Sequence, residues 1–253
     1  MYNVVDLRGK KILITGASSG IGKATAILCS KLGAQLILIA RNVAKLEQVM
    51  SELEGDGHKY YSFDLANIDE IENFMKTIKE NDGALDGYVH SAGITCNRPL
   101  KLTKTSIMRE IMEINLFSFV EIIRCLTKRK CFNDGLSIVG ISSISSKRGN
   151  QAKTAYAASK GAMDAAVRCM AKELAPNGIR VNTVVPAFIN TEIFQQFLDV
   201  SEGSDDAKSV MEKQYLGLGE TDDVANMVAY LLSSASRFIT GTSVDVDGGR
   251  LSS

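Results

Sequence analysis

Short apolar runs and longer segments with helical periodicity alternate along the whole chain. Most of the short runs are almost continuously apolar, which is typical of strands covered on both faces. They predict strands at Lys11–Thr15, Gln35–Ala40, Lys59–Phe63, Gly87–Ser91, Leu136–Ser142, Arg180–Val185 and Ser243–Val246. The longer segments predict helices at Ile21–Leu32, Val43–Leu53, Ile68–Glu80, Ser106–Lys130, Ala155–Leu174 and Asp222–Ser233.

This alternation predicts an α/β fold with a doubly wound parallel sheet of about seven strands and helices on both faces. No linker, repeat or low-complexity tract interrupts the pattern, so we expect residues 1–253 to form a single domain. The stretch 187–220 is too long for a simple connection and carries Phe188, Phe194 and Phe197. We interpret it as a substrate lid, with a surface helix pair packed on the core as the alternative.

Composition and charge exclude several classes of protein. The 29 basic and 29 acidic side chains of the 253-residue chain cancel, which argues against binding to nucleic acid through charge. The strongly apolar strip Leu36–Ala40 is far shorter than the roughly 18 residues that a membrane helix needs, and Asp6 and Arg8 interrupt any signal-peptide core. Five cysteines without a CxxC pair and two histidines argue against disulfides and zinc. We therefore expect a cytoplasmic protein without a metal or a membrane partner.

A glycine-rich turn lies between the first predicted strand and the first predicted helix. It runs from Thr15 to Gly22, with glycines at 16, 20 and 22, and includes Ser18, Ser19 and Ile21. Glycines permit a tight turn and a close approach of the backbone to a phosphate, and the following helix N-terminus attracts negative charge. In this position the turn predicts a Rossmann-type site for a dinucleotide.

The end of the second predicted strand indicates which dinucleotide is bound. An acidic residue there would bind the ribose 2′-hydroxyl of NAD, but the chain has Ala40 followed by Arg41. A guanidinium can pair with a 2′-phosphate, which favours NADP(H), although an ordinary solvated arginine is the alternative. Asp64 and Leu65, just after the third predicted strand, are placed to flank the adenine.

Tyr156 and Lys160 are candidates for acid–base chemistry, because four-residue spacing puts them on one face of a helix. A neighbouring ammonium is expected to lower the pKa of the phenol and make proton exchange with a substrate oxygen feasible. Ser143, beyond the preceding strand, is placed to hydrogen-bond the same oxygen. A surface or packing pair is the alternative, and the glycine turn upstream favours the catalytic interpretation.

Taken together, these motifs resemble the short-chain dehydrogenase/reductase family over essentially the whole chain. Beyond the glycine turn and the Tyr-x-x-x-Lys pair, the likeness rests on Ser91-Ala92-Gly93, Asn115, Ser143 and Val246-Asp247-Gly248-Gly249. The sequence departs from the family pattern at Ser91, where asparagine is usual, and at Ala187, where glycine is common. These departures leave the acid–base residues intact.

The resemblance implies hydride transfer between a nicotinamide and a carbonyl/alcohol pair, with Tyr156 as the general acid. It further implies that Lys160 holds the nicotinamide ribose, that Asn115 anchors a water and that Ser143 polarises the carbonyl. Ile189 and Thr191 would then hold the carboxamide, and Ser91, Ala92 and Gly93 would line the cofactor site.

Within the family, the chain is most similar to the 3-oxoacyl-acyl-carrier-protein reductases. The hypothesis is therefore NADPH-dependent reduction of a 3-oxoacyl thioester, free or bound to a carrier protein, or of another small ketone. A reductase acting on a sugar, polyketide or steroid ketone is the alternative, followed by a non-catalytic NADP(H) sensor. The resemblance also implies a homo-oligomer, either a tetramer or a dimer.

Overall fold

The computed structural model describes residues 4–128, 131–192, 194–195 and 213–253. Its strands are β1 (Lys11–Thr15), β2 (Gln35–Ala40), β3 (Lys59–Ser62), β4 (Leu85–His90), β5 (Phe132–Ile141), β6 (Arg180–Pro186) and β7 (Ser243–Val246). Its α-helices are α1 (Gly20–Lys31), α2 (Val43–Ser51), α3 (Ile71–Asp82), α4 (Thr105–Met112), α5 (Ser118–Lys128), α6 (Thr154–Leu174) and α7 (Thr221–Leu232).

The seven strands form one sheet in the order β3-β2-β1-β4-β5-β6-β7, and every neighbouring pair is parallel. The chain builds outward from β1 to β3 and then returns to add β4 on the other side of β1. This reversal is the topological switch point of a doubly wound sheet, where the carboxyl ends of the strands leave a crevice for a ligand. The predicted fold class is confirmed.

The apolar strands are covered on both faces, because successive side chains of a strand point to opposite sides. In β1, Ile12 and Ile14 belong to the apolar cluster that includes residues of α1, α2 and α7. Leu13, between them, belongs to the cluster that includes residues of α3, α5 and α6. All three side chains are completely buried, so the near-continuous apolar runs reflect two cores rather than one.

The predicted helix Ser106–Lys130 is interrupted, which the periodicity did not indicate. After α4, residues Glu113–Phe117 form a π-helical turn before α5 begins. Such turns widen the hydrogen-bond ladder and are frequent at functional sites. Arg129 and Lys130 lie outside the described residues.

Most of the predicted lid, residue 193 and residues 196–212, also lies outside the described residues, so the lid remains a prediction. The two described ends of the segment 187–220 meet. Ile189 forms a parallel bridge with Gly219, and the Asn190 N–H donates to the Gly219 carbonyl at 2.8 Å. Within the described part of the chain, none of the helices combines the length and the apolar character that crossing a membrane requires.

Candidate active site

The glycine turn connects β1 to α1 at the switch point of the sheet. Gly16 has a φ of +66°, and a Cβ there would lie 2.6 Å from the backbone nitrogen of Ala92. A Cβ at Gly22 would lie 2.2 Å from the carbonyl oxygen of Gly16. These two glycines are therefore required by the close packing of the turn against the end of β4 and against itself, in addition to any approach of a phosphate.

The N-terminus of α1 is open to an anion. Ser19 stands at the N-cap, but its side chain makes no capping hydrogen bond, and the first turn contains no acidic residue. The first N–H groups of a helix have no partner within the helix, and the helix dipole adds partial positive charge there. Gly20, with a φ of +52°, would direct a Cβ only towards the methyl group of Thr191 at 3.5 Å. The turn formed by residues 16–22, with Ser18 and Ile21 both half-buried, fits the phosphates of a dinucleotide.

Arg41 and Asp64 lie together beyond the ends of β2 and β3. The Arg41 side chain is 68% exposed, and its Nη1 atom is 3.8 Å from a carboxylate oxygen of Asp64. An ion pair this long and this exposed contributes little to stability, so the guanidinium is accessible to a ligand. Leu65, beside Asp64, is buried, and its contact with an adenine ring stays a prediction.

Tyr156 and Lys160 lie one turn apart on α6 and face the carboxyl end of β5. Tyr156 is half-buried, and the nearby side chain of Ser143, which follows β5, acts to lower the pKa of its phenol. The Nζ atom of Lys160 is buried, donates to the Ile141 carbonyl at 2.7 Å and lies 5.9 Å from the centroid of the Tyr156 ring. The structure therefore brings the three predicted acid–base residues into one cluster.

The electrostatics of this cluster differ from the prediction in one respect. Burial raises the pKa of Tyr156, and its hydrogen bond with Ser143 offsets only part of that rise. Burial also lowers the pKa of Lys160 to about 8, although Asp164 opposes the shift. The net pKa of the phenol is therefore raised and not lowered as expected, because burial outweighs the effect of its polar neighbours. The phenol stays protonated near neutral pH.

Asn115 lies within the π-helical turn and is completely buried. Its Oδ1 atom accepts from the Ile94 N–H at 2.8 Å, and its Nδ2 atom donates to the Ile94 carbonyl at 3.0 Å and to the Ser159 hydroxyl at 2.9 Å. The side chain thus ties α6 to the loop that follows β4. Its amide atoms are engaged by protein partners, and the water-holding role that the resemblance implies for Asn115 stays a prediction.

The segment Ser91-Ala92-Gly93 follows β4 and joins the glycine turn to the acid–base cluster. The Ser91 N–H donates to the Thr15 carbonyl at 3.3 Å. A Cβ at Gly93 would lie 3.2 Å from the Oδ1 atom of Asn115 and 3.5 Å from the Nζ atom of Lys160. Glycine therefore lets the segment pack closely against these two side chains. His90, the last residue of β4, is buried and contacts Tyr88 at 2.8 Å, and burial lowers its pKa to about 3.

Ile189 and Thr191 face the glycine turn from the far side of the crevice. Ile189 is buried, and the Thr191 hydroxyl lies 3.3 Å from its carbonyl oxygen. Ala187 is held against the end of β7, because its N–H donates to the Val246 carbonyl at 3.3 Å. Ala187 therefore lies where the chain after β6 passes the carboxyl end of β7.

The sequence analysis missed Lys153, which lies three residues before Tyr156. Its Nζ atom lies 5.4 Å from the centroid of the Tyr156 ring and donates to the Thr95 hydroxyl at 2.8 Å. The only signal in the sequence was its spacing of three from Tyr156. The loop that carries Thr95 approaches only in the folded chain.

Comparisons with known proteins agree with this geometry. A family model described as Enoyl-(Acyl carrier protein) reductase matches residues 16–250. The 3-oxoacyl-(acyl-carrier-protein) reductase FabG of Vibrio cholerae is 33% identical over 245 residues, which are 97% of this chain and 98% of that protein. The chain belongs to the short-chain dehydrogenase/reductase family.

Solved structures of the same family have the same architecture. A short-chain type dehydrogenase/reductase from Mycobacterium ulcerans has a TM-score of 0.88 and 30% identity, covering 97% of this chain and 91% of that one. A protein from Beutenbergia cavernae, provisionally described as an NAD(P)-dependent gluconate 5-dehydrogenase, has NADP bound at low occupancy. Its TM-score is 0.89 at 26% identity, and the match covers 99% of this chain and 100% of that one. This chain is an oxidoreductase of a family that uses nicotinamide cofactors.

Proposed function

We propose that the protein reduces a ketone to an alcohol with NADPH, and that Tyr156 is the general acid. The observation that carries this proposal is the cluster of Ser143, Tyr156 and Lys160, which lies at the carboxyl end of β5 beside the glycine turn. In a doubly wound sheet this end of the strands is where ligands bind.

Each residue of the cluster has a separate role in the proposed reduction. When bound, NADPH supplies the hydride that adds to the carbonyl carbon. Tyr156 gives its phenolic proton to the carbonyl oxygen, so that one hydride and one proton convert the C=O group to CH–OH. Ser143 donates a hydrogen bond to the same oxygen and stabilises the charge that develops on it. Because burial keeps the Tyr156 phenol protonated, the cluster is already in the form that a reduction requires.

Lys160 has a different role. Its ammonium is held by the Ile141 carbonyl beside Gly93, where it can bind the nicotinamide ribose and return a proton to Tyr156 after turnover. The open N-terminus of α1 would hold the pyrophosphate, and Ile189 and Thr191 would hold the carboxamide.

The choice of NADPH over NADH rests on Arg41. Its exposed guanidinium lies at the end of β2, where the adenosine ribose approaches in a dinucleotide fold, and the residue that ends this strand is Ala40 instead of an acidic one. Asp64 is the nearest acidic group, and a bound 2′-phosphate would compete with it for Arg41. The NADP that the Beutenbergia relative binds supports the same choice.

For the substrate, we propose a 3-oxoacyl thioester or another small ketone. The thioester is supported by the FabG relative, which matches along nearly its whole length. A sugar ketone is the second candidate, supported by the gluconate 5-dehydrogenase described above.

The cytoplasmic location and the homo-oligomer remain predictions. Exposed Phe117 and Val120, which lie just before and within the first turn of α5, support an interface there.

The test is oxidation of NADPH, followed by absorbance, against a panel of carbonyl compounds with NADH in parallel. The panel contains a 3-oxoacyl thioester, a keto-sugar, a steroid ketone and an activated diketone. Turnover of any of them with a preference for NADPH supports the proposal. Binding of NADPH without reduction of any compound, under conditions where the protein is folded, would instead favour the sensor alternative.

A further inference from the structure

Lys153 places a second ammonium beside the reacting phenol. It is the residue immediately before α6, and its Nζ atom lies 5.4 Å from the centroid of the Tyr156 ring. The same atom donates to the Thr95 hydroxyl at 2.8 Å, so the side chain extends across to the loop that follows β4. Nearby, the Arg98 N–H donates to the Ala152 carbonyl at 2.8 Å and fastens the two loops together. Lys153 is therefore held in place rather than free in solvent.

This ammonium has no counter-charge among the residues that the structure describes. Lys153 is half-buried, and within those ranges no carboxylate lies within ion-pair distance of it. Burial lowers its pKa, and the thiol of Cys96 is the one titratable neighbour that acts in the opposite direction. A desolvated cation without a charged partner is costly, and its position at the N-terminus of the 21-residue helix α6 adds repulsion from the helix dipole. An anion bound at this point would relieve both costs.

The loops around Tyr156 extend this positive charge. Residues 91–104 and residues 143–154 each contain three basic residues and no aspartate or glutamate. The basic residues are Arg98, Lys101, Lys104, Lys147, Arg148 and Lys153. Lys147 is paired with Asp245. These two loops therefore bring no negative charge of their own to the surroundings of Lys153.

Thr95 completes the arrangement. Its hydroxyl oxygen accepts from Lys153, which leaves its own proton available, and no acceptor for that proton is found among the described residues. An ammonium and a hydroxyl that lie side by side form a pair of donors suited to a carboxylate. Because Lys153 and Tyr156 are separated by less than one helical turn, both groups can contact one small molecule.

We infer that Lys153 binds a carboxylate that the substrate carries within a few bonds of its reacting carbonyl. The inference rests on the proposed reduction of a ketone and favours its alternative substrate, another small ketone, over the 3-oxoacyl thioester: among ketones, the site selects a short oxo acid over its neutral ester or thioester. Lys153 is a specificity-determining residue, and the chemistry stays with Tyr156.

The experiment compares acetoacetate with methyl acetoacetate, which present the same ketone with and without a negative charge. The wild-type protein is expected to reduce acetoacetate with the higher kcat/KM. Lys153→Met should lower kcat/KM for acetoacetate by about ten- to a hundredfold, mainly through KM, and leave the ester nearly unchanged. Lys153→Gln, which keeps a donor to Thr95 but loses the charge, should behave as Lys153→Met does.

Lys104→Met is the matched control. Lys104 is also the residue before a helix, α4, and its side chain makes no capping bond, but it is exposed. Its loss removes the same charge without touching Tyr156, so the preference for acetoacetate should remain. Lys153→Met should also raise the melting temperature, because it removes an uncompensated half-buried cation, whereas Lys104→Met should shift it less.

Binding is measured separately from turnover, by calorimetric titration of acetoacetate into the protein with NADP⁺, where no reduction can occur. Weaker binding to Lys153→Met than to the wild type supports the inference even if the panel of ketones shows no reduction, which would count only against the proposed function. Equal losses for acetoacetate and its ester, or no loss for either, would overturn the role of Lys153 in carboxylate binding.

Discussion

Replacing Asn115 with alanine should destabilise the protein far more than a typical polar substitution, because the completely buried side chain makes three hydrogen bonds, one of them buried and two half-buried. Two of these satisfy the N–H and the carbonyl of Ile94, and the third reaches Ser159. Each bond is worth about 1 kcal/mol net, and each backbone group left unsatisfied in the interior costs about 1 to 3 kcal/mol. We expect Asn115→Ala to lower the free energy of unfolding by about 3 to 5 kcal/mol.

The assay is urea unfolding at pH 7, with Ser159→Ala as the matched control. That variant removes only one of the three bonds of Asn115 and should cost about 1 kcal/mol. Asn115→Ala should also slow NADPH-dependent reduction, because Ile94 belongs to the loop that carries Thr95 and follows Gly93. A loss of stability below about 1 kcal/mol, or a loss equal to that of Ser159→Ala, would refute the reasoning that Asn115 is the fastening point of this loop.

The remaining predictions concern Tyr156, Arg41 and His90. Tyr156→Phe should abolish reduction and leave NADPH binding, measured by fluorescence, nearly unchanged; retained turnover would remove Tyr156 as the acid. Arg41→Ala should raise the KM for NADPH by about tenfold or more and leave that for NADH unchanged, and equal changes would contradict contact with a 2′-phosphate. Burial lowers the pKa of His90 to about 3 from the usual 6.5, so the unfolded chain takes up a proton first. Stability is therefore lost as pH falls from 6.5 towards 3, by about 1.4 kcal/mol per pH unit. Urea unfolding between about pH 7 and pH 5 should show this loss, and His90→Gln should reduce it.

The parts of the site that lie close together in the sequence could be predicted from it. Gly16, Gly20 and Gly22 form one turn, and Tyr156 and Lys160 lie one helical turn apart, so their spacing already indicates their arrangement. The position of the glycine turn after the first strand also predicted which edge of the sheet carries the site. Local geometry suffices in such cases because a turn or a helix determines which side chains share a face.

The parts that depend on distant segments could not be predicted. The contact of Lys153 with Thr95 joins residues 58 positions apart, and that of Asn115 with Ser159 joins residues 44 apart. The π-helical turn at Asn115 also escaped prediction, because a sequence that suits an α-helix tolerates one wider turn when tertiary contacts stabilise it.

The amino-acid sequence by itself determined the fold class, the order of strands and helices, the glycine turn and the spacing of the acid–base residues. These follow from hydrophobic periodicity and local backbone preferences, which act over a few residues. Only the tertiary structure decided the shifts in the pKa values of Tyr156 and Lys160 and the separation of Lys153 from the carboxylates of the described residues. Both depend on the surroundings that folding creates, because the water and the charged partners that a side chain loses or gains are set by segments packed around it from elsewhere in the chain.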